Sequence, residues 1–116
     1  MLTLSPAVRV YLARGATDIR KSFDGLAAAA QSILQMDPLS GHLFVFCNRR
    51  RDRLKILYWD ASGFCILHKR LEKGTFAWPG DEDTTEARLQ INGRDLSLIL
   101  AGVDLREGRR RRWFQQ

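Results

Sequence analysis

Three runs in the middle of the chain, His42 to Asn48, Arg53 to Trp59 and Phe64 to Leu71, follow one another with four residues between neighbours. Their apolar residues recur with period two, so we read them as consecutive antiparallel strands. Arg49 to Asp52 supplies the first turn and Asp60-Ala61-Ser62-Gly63 the second, with Asp, Ser and Gly where turn geometry favours them. Pairing Trp59 with Phe64 sets Leu57 opposite Ile66, Lys55 opposite His68 and Arg53 opposite Arg70. The first turn sets Phe46 beside Lys55 and Phe44 beside Leu57. One sheet face then carries Leu43, Val45, Cys47, Leu54, Ile56, Tyr58, Cys65, Leu67 and Leu71, which we take as the core face for a helix to cover. The other carries His42, Phe44, Phe46, Arg53, Lys55, Leu57, Trp59, Phe64, Ile66, His68 and Arg70, a mixture of aromatics and cations.

The flanking segments supply the remaining elements. Val8, Val10 and Leu12 alternate with Arg9, Tyr11 and Ala13, a strand that ends at Arg14-Gly15. Thr17 or Asp18 caps a helix whose apolar stripe is Ile19, Phe23, Leu26, Ala30, Ile33 and Leu34, and Asp37-Pro38 ends it. Gly74 to Thr85 reads as a surface loop, and Arg88 to Ile91 as a short strand. Asn92 caps a short helix of Leu96, Ile99, Leu100 and Val103, with Gly102 near its end. The order predicts an α+β fold: an antiparallel β-sheet with one main helix, Thr17 to Leu34, packed on a face, and a short C-terminal helix. A single domain is expected over residues 1–105, followed by a basic, flexible tail at 106–116.

Composition bounds the function. A chain of 116 residues, 45% apolar and 28% charged, has the balance of one globular domain rather than of a disordered chain. Its longest uncharged stretch, Gly25 to Met36, is 12 residues, short of a membrane span. Pro6 and Arg9 interrupt the N-terminal region, no signal peptide is read, and two cysteines do not make a disulfide framework, so the chain is expected to be cytoplasmic. The net charge of +6 is uneven: Arg49 to Lys73 carries +5 and Arg106 to Arg112 carries +4, leaving the remainder at −3. Two such concentrations suit a chain that meets a polyanion.

Several ordered blocks resemble a known family. They are Thr17-Asp18-Ile19-Arg20-Lys21-Ser22-Phe23-Asp24-Gly25-Leu26, Asp37-Pro38-Leu39-Ser40-Gly41-His42-Leu43-Phe44-Val45-Phe46, Arg49-Arg50-Arg51-Asp52-Arg53-Leu54-Lys55-Ile56-Leu57-Tyr58-Trp59-Asp60, Gly63-Phe64, and Lys69-Arg70-Leu71-Glu72 through Phe76-Ala77-Trp78-Pro79. Over about Arg9 to Arg106 the chain is similar to the TnpB-type accessory proteins, encoded by the second open reading frame of the IS66 class of bacterial insertion sequences. The resemblance implies a helper of transposition that acts beside a separate transposase. The expected partners are therefore element DNA, the element-encoded transposase and another accessory protein.

The residues themselves suggest a mechanism without catalysis. Transposase chemistry needs carboxylates converging on metal ions, whereas the acids here fall at caps, turns and loops. The spacings His42 to Cys47 and Cys65 to His68 put thiols and imidazoles on opposite faces of strands, so no zinc site, other metal or cofactor is expected. Arg49, Arg50, Arg51, Arg53, Lys55, Lys69 and Arg70, with the tail residues Arg109, Arg110, Arg111 and Arg112, are the candidate nucleic-acid contacts. Arg20 and Lys21, in the first turn of the expected helix, form a candidate phosphate site with its free amides; an Arg20 to Asp24 pair is the favoured structural account. Phe44, Phe46, Trp59 and Phe64 offer either rings for stacking on bases or a second core layer beneath the second helix and the Phe76-Ala77-Trp78 segment, and we favour the core layer. The functional expectation is a non-enzymatic factor that binds DNA or assembles the transposition complex. An adaptor that binds the transposase without touching DNA is the alternative.

Overall fold

The computed structural model describes residues 5–79, 86–104 and 109–110. Its strands are β1 (Val10–Ala13), β2 (Leu43–Cys47), β3 (Arg53–Asp60), β4 (Gly63–Arg70), β5 (Arg88–Ile91), β6 (Val103–Asp104) and β7 (Arg109–Arg110); its helices are α1 (Phe23–Ser32) and α2 (Gly93–Leu100). Strands β1 to β5 form one sheet in the order β4-β3-β2-β1-β5, and β6 and β7 form a separate ribbon. Among the described residues no helix is long and apolar enough to cross a membrane.

The strand register agrees with the sequence reading at each pair named above. Trp59 faces Phe64, Leu57 faces Ile66, Lys55 faces His68 and Arg53 faces Arg70, while Phe46 faces Lys55 and Phe44 faces Leu57. The sheet as a whole is mixed rather than antiparallel, because β1 and β2 run parallel with α1 as their crossover. A helical connection returns the chain to the end of the sheet at which it started, which a tight turn cannot do. The other three pairings in this sheet are antiparallel.

Each residue of β1 and β2 is buried. Strands covered on both faces read as unbroken apolar runs, which accounts for Leu43-Phe44-Val45-Phe46-Cys47. The two covers differ from expectation. Helix α1 lies on the aromatic face, where Leu26, Ala29, Ala30 and Leu34 pack with Tyr11, Ala13, Phe44, Phe46 and Leu57. The aliphatic face is closed instead by Leu96 and Ile99 of α2 with Phe76 and Trp78, against Val10, Leu12, Leu43, Val45, Cys47, Leu54 and Ile56. Size decides the assignment: the alanines of α1 leave room for bulky rings, and the large residues on the other cover fill the space above smaller aliphatic chains. Leu26 and Ile56, both expected in the core, are fully buried.

Helix α1 is shorter than Thr17 to Leu34. Asp18 closes a turn ahead of it by accepting from the Arg20 amide at 3.0 Å, and the helix begins after Ser22. It ends where Gln35 takes φ +57° and the Met36 amide reaches back to the Ala30 carbonyl at 3.0 Å. Phe23 and Ile33 fall outside the core as a result and are 46% and 54% exposed. The cap of α2 is as read: the Asn92 side chain accepts from the Asp95 amide at 2.7 Å.

Trp78 ties its segment to the sheet by donating its indole N–H to the Ala13 carbonyl at 3.0 Å. Trp78→Ala is expected to cost about 3–5 kcal/mol in chemical denaturation and Leu26→Ala about 2–5 kcal/mol. Trp78→Phe, which keeps an aromatic ring but loses the hydrogen bond, should cost about 1 kcal/mol beyond what the smaller ring loses in packing. Near-neutral effects for Trp78→Ala or Leu26→Ala would contradict the two-cover arrangement.

Candidate nucleic-acid interface

Three of the candidate cations, Arg20, Arg49 and Arg50, gather where β1 and β2 end. The loop leaving β1 is joined to the end of β2 by the Thr17 amide, which donates to the Cys47 carbonyl at 2.8 Å. The turn leaving β2 is built by Asn48: its side-chain oxygen accepts from the Asp52 and Arg53 amides, both at 3.1 Å, and its amide donates to the Asp52 carboxylate at 2.7 Å. That last bond, chiefly, holds the Asp52 carboxyl below its ordinary range. Ala16 to Arg20 and Asn48 to Arg50 line a common open cleft of about 410 Å³. Two candidates that are distant in sequence, Arg20 and the arginine turn, therefore share one site.

The three arginines of the turn are not equivalent. Arg49 and Arg50 are exposed, whereas Arg51 is half-buried and takes φ +60°. Its guanidinium lies over the Trp78 ring, 5.4 Å from the centroid, and donates to the Arg14 carbonyl at 3.1 Å. Its own carbonyl accepts from the Phe76 amide at 2.7 Å. Arg51 thus fastens the turn to the core. It also lies beside Cys47, whose thiol burial pushes up to about 11 despite the opposing pull of that guanidinium. Among the described residues no three His, Cys, Asp or Glu side chains are grouped to hold a metal.

Arg20 pairs with Asp18, not with Asp24. Its guanidinium donates twice at 3.0 and 2.7 Å, with a third contact at 3.2 Å, and these bonds hold the Asp18 carboxyl far below its usual range. Neither does the anticipated arrangement of free helix amides form. The Arg20 and Lys21 amides are ahead of α1 and already donate to the Asp18 side chain and carbonyl. What remains available is the guanidinium itself, 89% exposed, in a surface ion pair of little net strength.

Beside the cleft, β3 and β4 carry two opposed pairs on one face. Arg53 faces Arg70 and Lys55 faces His68. Arg70 reaches Glu72 at 3.2 Å, and Lys55 donates to the Lys21 carbonyl at 2.7 Å, joining this group to the loop before α1. His68 was not among the candidate contacts, although the sequence register had already set it opposite Lys55. Lys69 points the other way and donates to the Leu100 carbonyl at 2.9 Å, at the negative end of α2. Strict alternation along β4 was the signal that separates Lys69 from His68 and Arg70. Arg109 and Arg110 pair through their backbones with Asp104 and Val103, while Arg111 and Arg112 lie outside the described residues.

The aromatic question divides in two. Phe44 and Phe46 are core residues. Trp59 and Phe64 stay half-buried at the β3–β4 tip with ring centroids 5.1 Å apart, edge to face. The covering element for the buried rings is α1, in place of the second helix and the Phe76-Ala77-Trp78 segment.

Desolvation, then the charges of Lys55, Arg53 and Arg70, lowers the His68 pKa from its ordinary 6.5. As pH falls, the unfolded chain takes up this proton before the folded one does, so acidification through 6.5 favours unfolding. Stability should fall from neutral pH into the range below 6.5, and the decline should be shallower in His68→Gln. Denaturant titrations at a series of pH values test this, and equal slopes for the two proteins would refute it.

Comparison with known proteins adds an independent line of identification. The chain is 41% identical over 106 residues to the uncharacterized protein y4hO of Sinorhizobium fredii, covering 91% of this chain and 90% of that one. It is 38% identical over 104 residues to the uncharacterized protein y4jC of the same organism, covering 90% and 86%. No solved structure gives a significant match. The family model described as IS66 Orf2 like protein matches residues 8–110, which spans the sheet, both helices and the basic end just described. The chain belongs to the IS66 Orf2-like family, whose members serve transposition as accessory proteins.

Proposed function

We propose that this accessory protein is non-enzymatic and holds the phosphate backbone of element DNA on the basic end of its sheet, so assisting assembly of the transposition complex. The observation that carries the reading is the Arg53–Arg70 register pair. Like charges directly opposite each other destabilise a sheet, and a polyanion laid across them offsets that cost. Arg20, Lys21, Arg49, Arg50 and Lys55 extend the same surface. The carboxylates around it support a binding role over catalysis, because Asp18, Asp52 and Glu72 each hold a neighbouring side chain or turn. The tail arginines Arg109 to Arg112 would add further phosphate contacts.

A protein adaptor is the second reading. Phe23, Ile33 and Leu39 are exposed to about half their area, at 46%, 54% and 53%, and would serve a protein partner such as the transposase.

Binding to element-end and random duplexes across a salt series separates the two. Arg49→Glu with Arg50→Glu should weaken both duplexes alike and reduce the salt slope by about 0.9 per lost contact. The folded state should be unchanged by circular dichroism. Unaltered DNA affinity with lost co-purification of the transposase would favour the adaptor. Wild-type protein that binds no duplex at low ionic strength would refute the DNA reading.

A further inference from the structure

The Arg53, Lys55, His68 and Arg70 group is more compact than backbone tracking requires. Two adjacent cross-strand pairs on one face set four side chains at the corners of a patch roughly 5 by 7 Å at its base. Long side chains rising from a base of that size can converge on one phosphate group. Duplex backbone, in contrast, is held by contacts distributed along a strand. The groups facing His68 are Lys55 directly across β3, Arg53 beside it, and Arg70 on β4 itself. Glu72 is bound to Arg70, Asp52 precedes Arg53 in the chain, and α1, which carries Asp24 in its first turn, packs on β3 and β4.

We propose that Arg53, Lys55, His68 and Arg70 form a seat for a single doubly charged phosphate, such as a phosphate monoester at a DNA 5′ end, with His68 taking up a proton when the phosphate binds. This rests on the reading that the basic end meets DNA, and it names the group recognised there. The three permanent cations supply charge-assisted hydrogen bonds to the phosphate oxygens. With desolvation, which is the larger cause, their charges also lower the His68 pKa. An arriving dianion reverses the local field, so the imidazole gains a proton from solvent and becomes a fourth donor. By linkage, whatever anion raises the His68 pKa binds more tightly when His68 is protonated. A phosphodiester, with one charge, gains less from the same four groups than a terminal phosphate does.

The experiment follows the His68 ring resonances by NMR while pH is varied in chloride, sulfate or inorganic phosphate at equal ionic strength. His68→Gln assigns the signals. Sulfate matters because it stays doubly charged throughout the titration. Both anions should raise the His68 pKa. Arg53→Gln should reduce the shift, while Lys69→Gln, on the opposite face, should not. A second arm compares duplexes carrying 5′-phosphate or 5′-hydroxyl ends. Wild-type protein should bind the phosphorylated ends about tenfold more tightly, the worth of one added charge-assisted hydrogen bond. His68→Gln should reduce that advantage and leave only the pH dependence that the phosphate's own second ionisation imposes. If the His68 titration moves but the 5′-phosphate confers nothing, the seat belongs to free phosphate. If neither anion moves His68, or Arg53→Gln leaves the shift unchanged, there is no seat, even where 5′-hydroxyl duplex still binds and the DNA reading stands. If no duplex binds while sulfate still moves His68, the DNA reading fails and the seat survives.

Discussion

Burial of β1 and β2 on both faces is the constraint from which the remaining architecture follows. A strand with apolar side chains on each face needs two covers, and a chain of 116 residues has little helix to spend on them. One cover is the small-residue helix α1; the other is assembled from α2 and the Phe76–Trp78 segment. With α1 as the crossover between them, β1 and β2 run parallel. Their C-terminal ends therefore fall side by side, and both loops that leave them carry arginine.

This convergence is what the local sequence could not display. Period-two patterning specified the β2-β3-β4 register through each pair, since a slip of one residue would have exchanged the two faces of the strand. It could not say which helix covers which face. That choice depends on complementarity between the alanines of α1 and the rings of Phe44 and Phe46, a match between segments rather than a property of either. The parallel pairing of β1 with β2 was equally hidden, because adjacency in the sheet is decided by tertiary packing.

The candidate site was partly legible for the same reasons. Arg53 and Arg70, or Lys55 and His68, can be paired from the turn alone. Arg51 and Lys69 could not be sorted by charge, since each is an arginine or lysine in a basic run. Their roles are set by what lies beneath them: the Trp78 ring and Arg14 carbonyl for one, the end of α2 for the other. A buried guanidinium and an exposed one look identical in composition, and burial separates a structural cation from an available one. Asp18, which with Thr17 is one of two cap candidates in the sequence, is instead the partner of Arg20 because its turn precedes the helix.

The position of β4 at the outside of the sheet has a consequence for how molecules of this protein meet one another. An outermost strand offers unpaired backbone groups along its free side, a ready template for another strand. The first half of β4, with Phe64, Cys65, Ile66 and Leu67, is apolar enough to invite such an approach. Its second half is His68, Lys69 and Arg70, reinforced across the ladder by Arg53 and Lys55. A strand of a second copy seeking to continue the sheet along the full length of β4 would have to pass through that positive field and displace the water around it. The charge that suits the surface to an anion thus also guards the sheet against growing by accretion of its own kind.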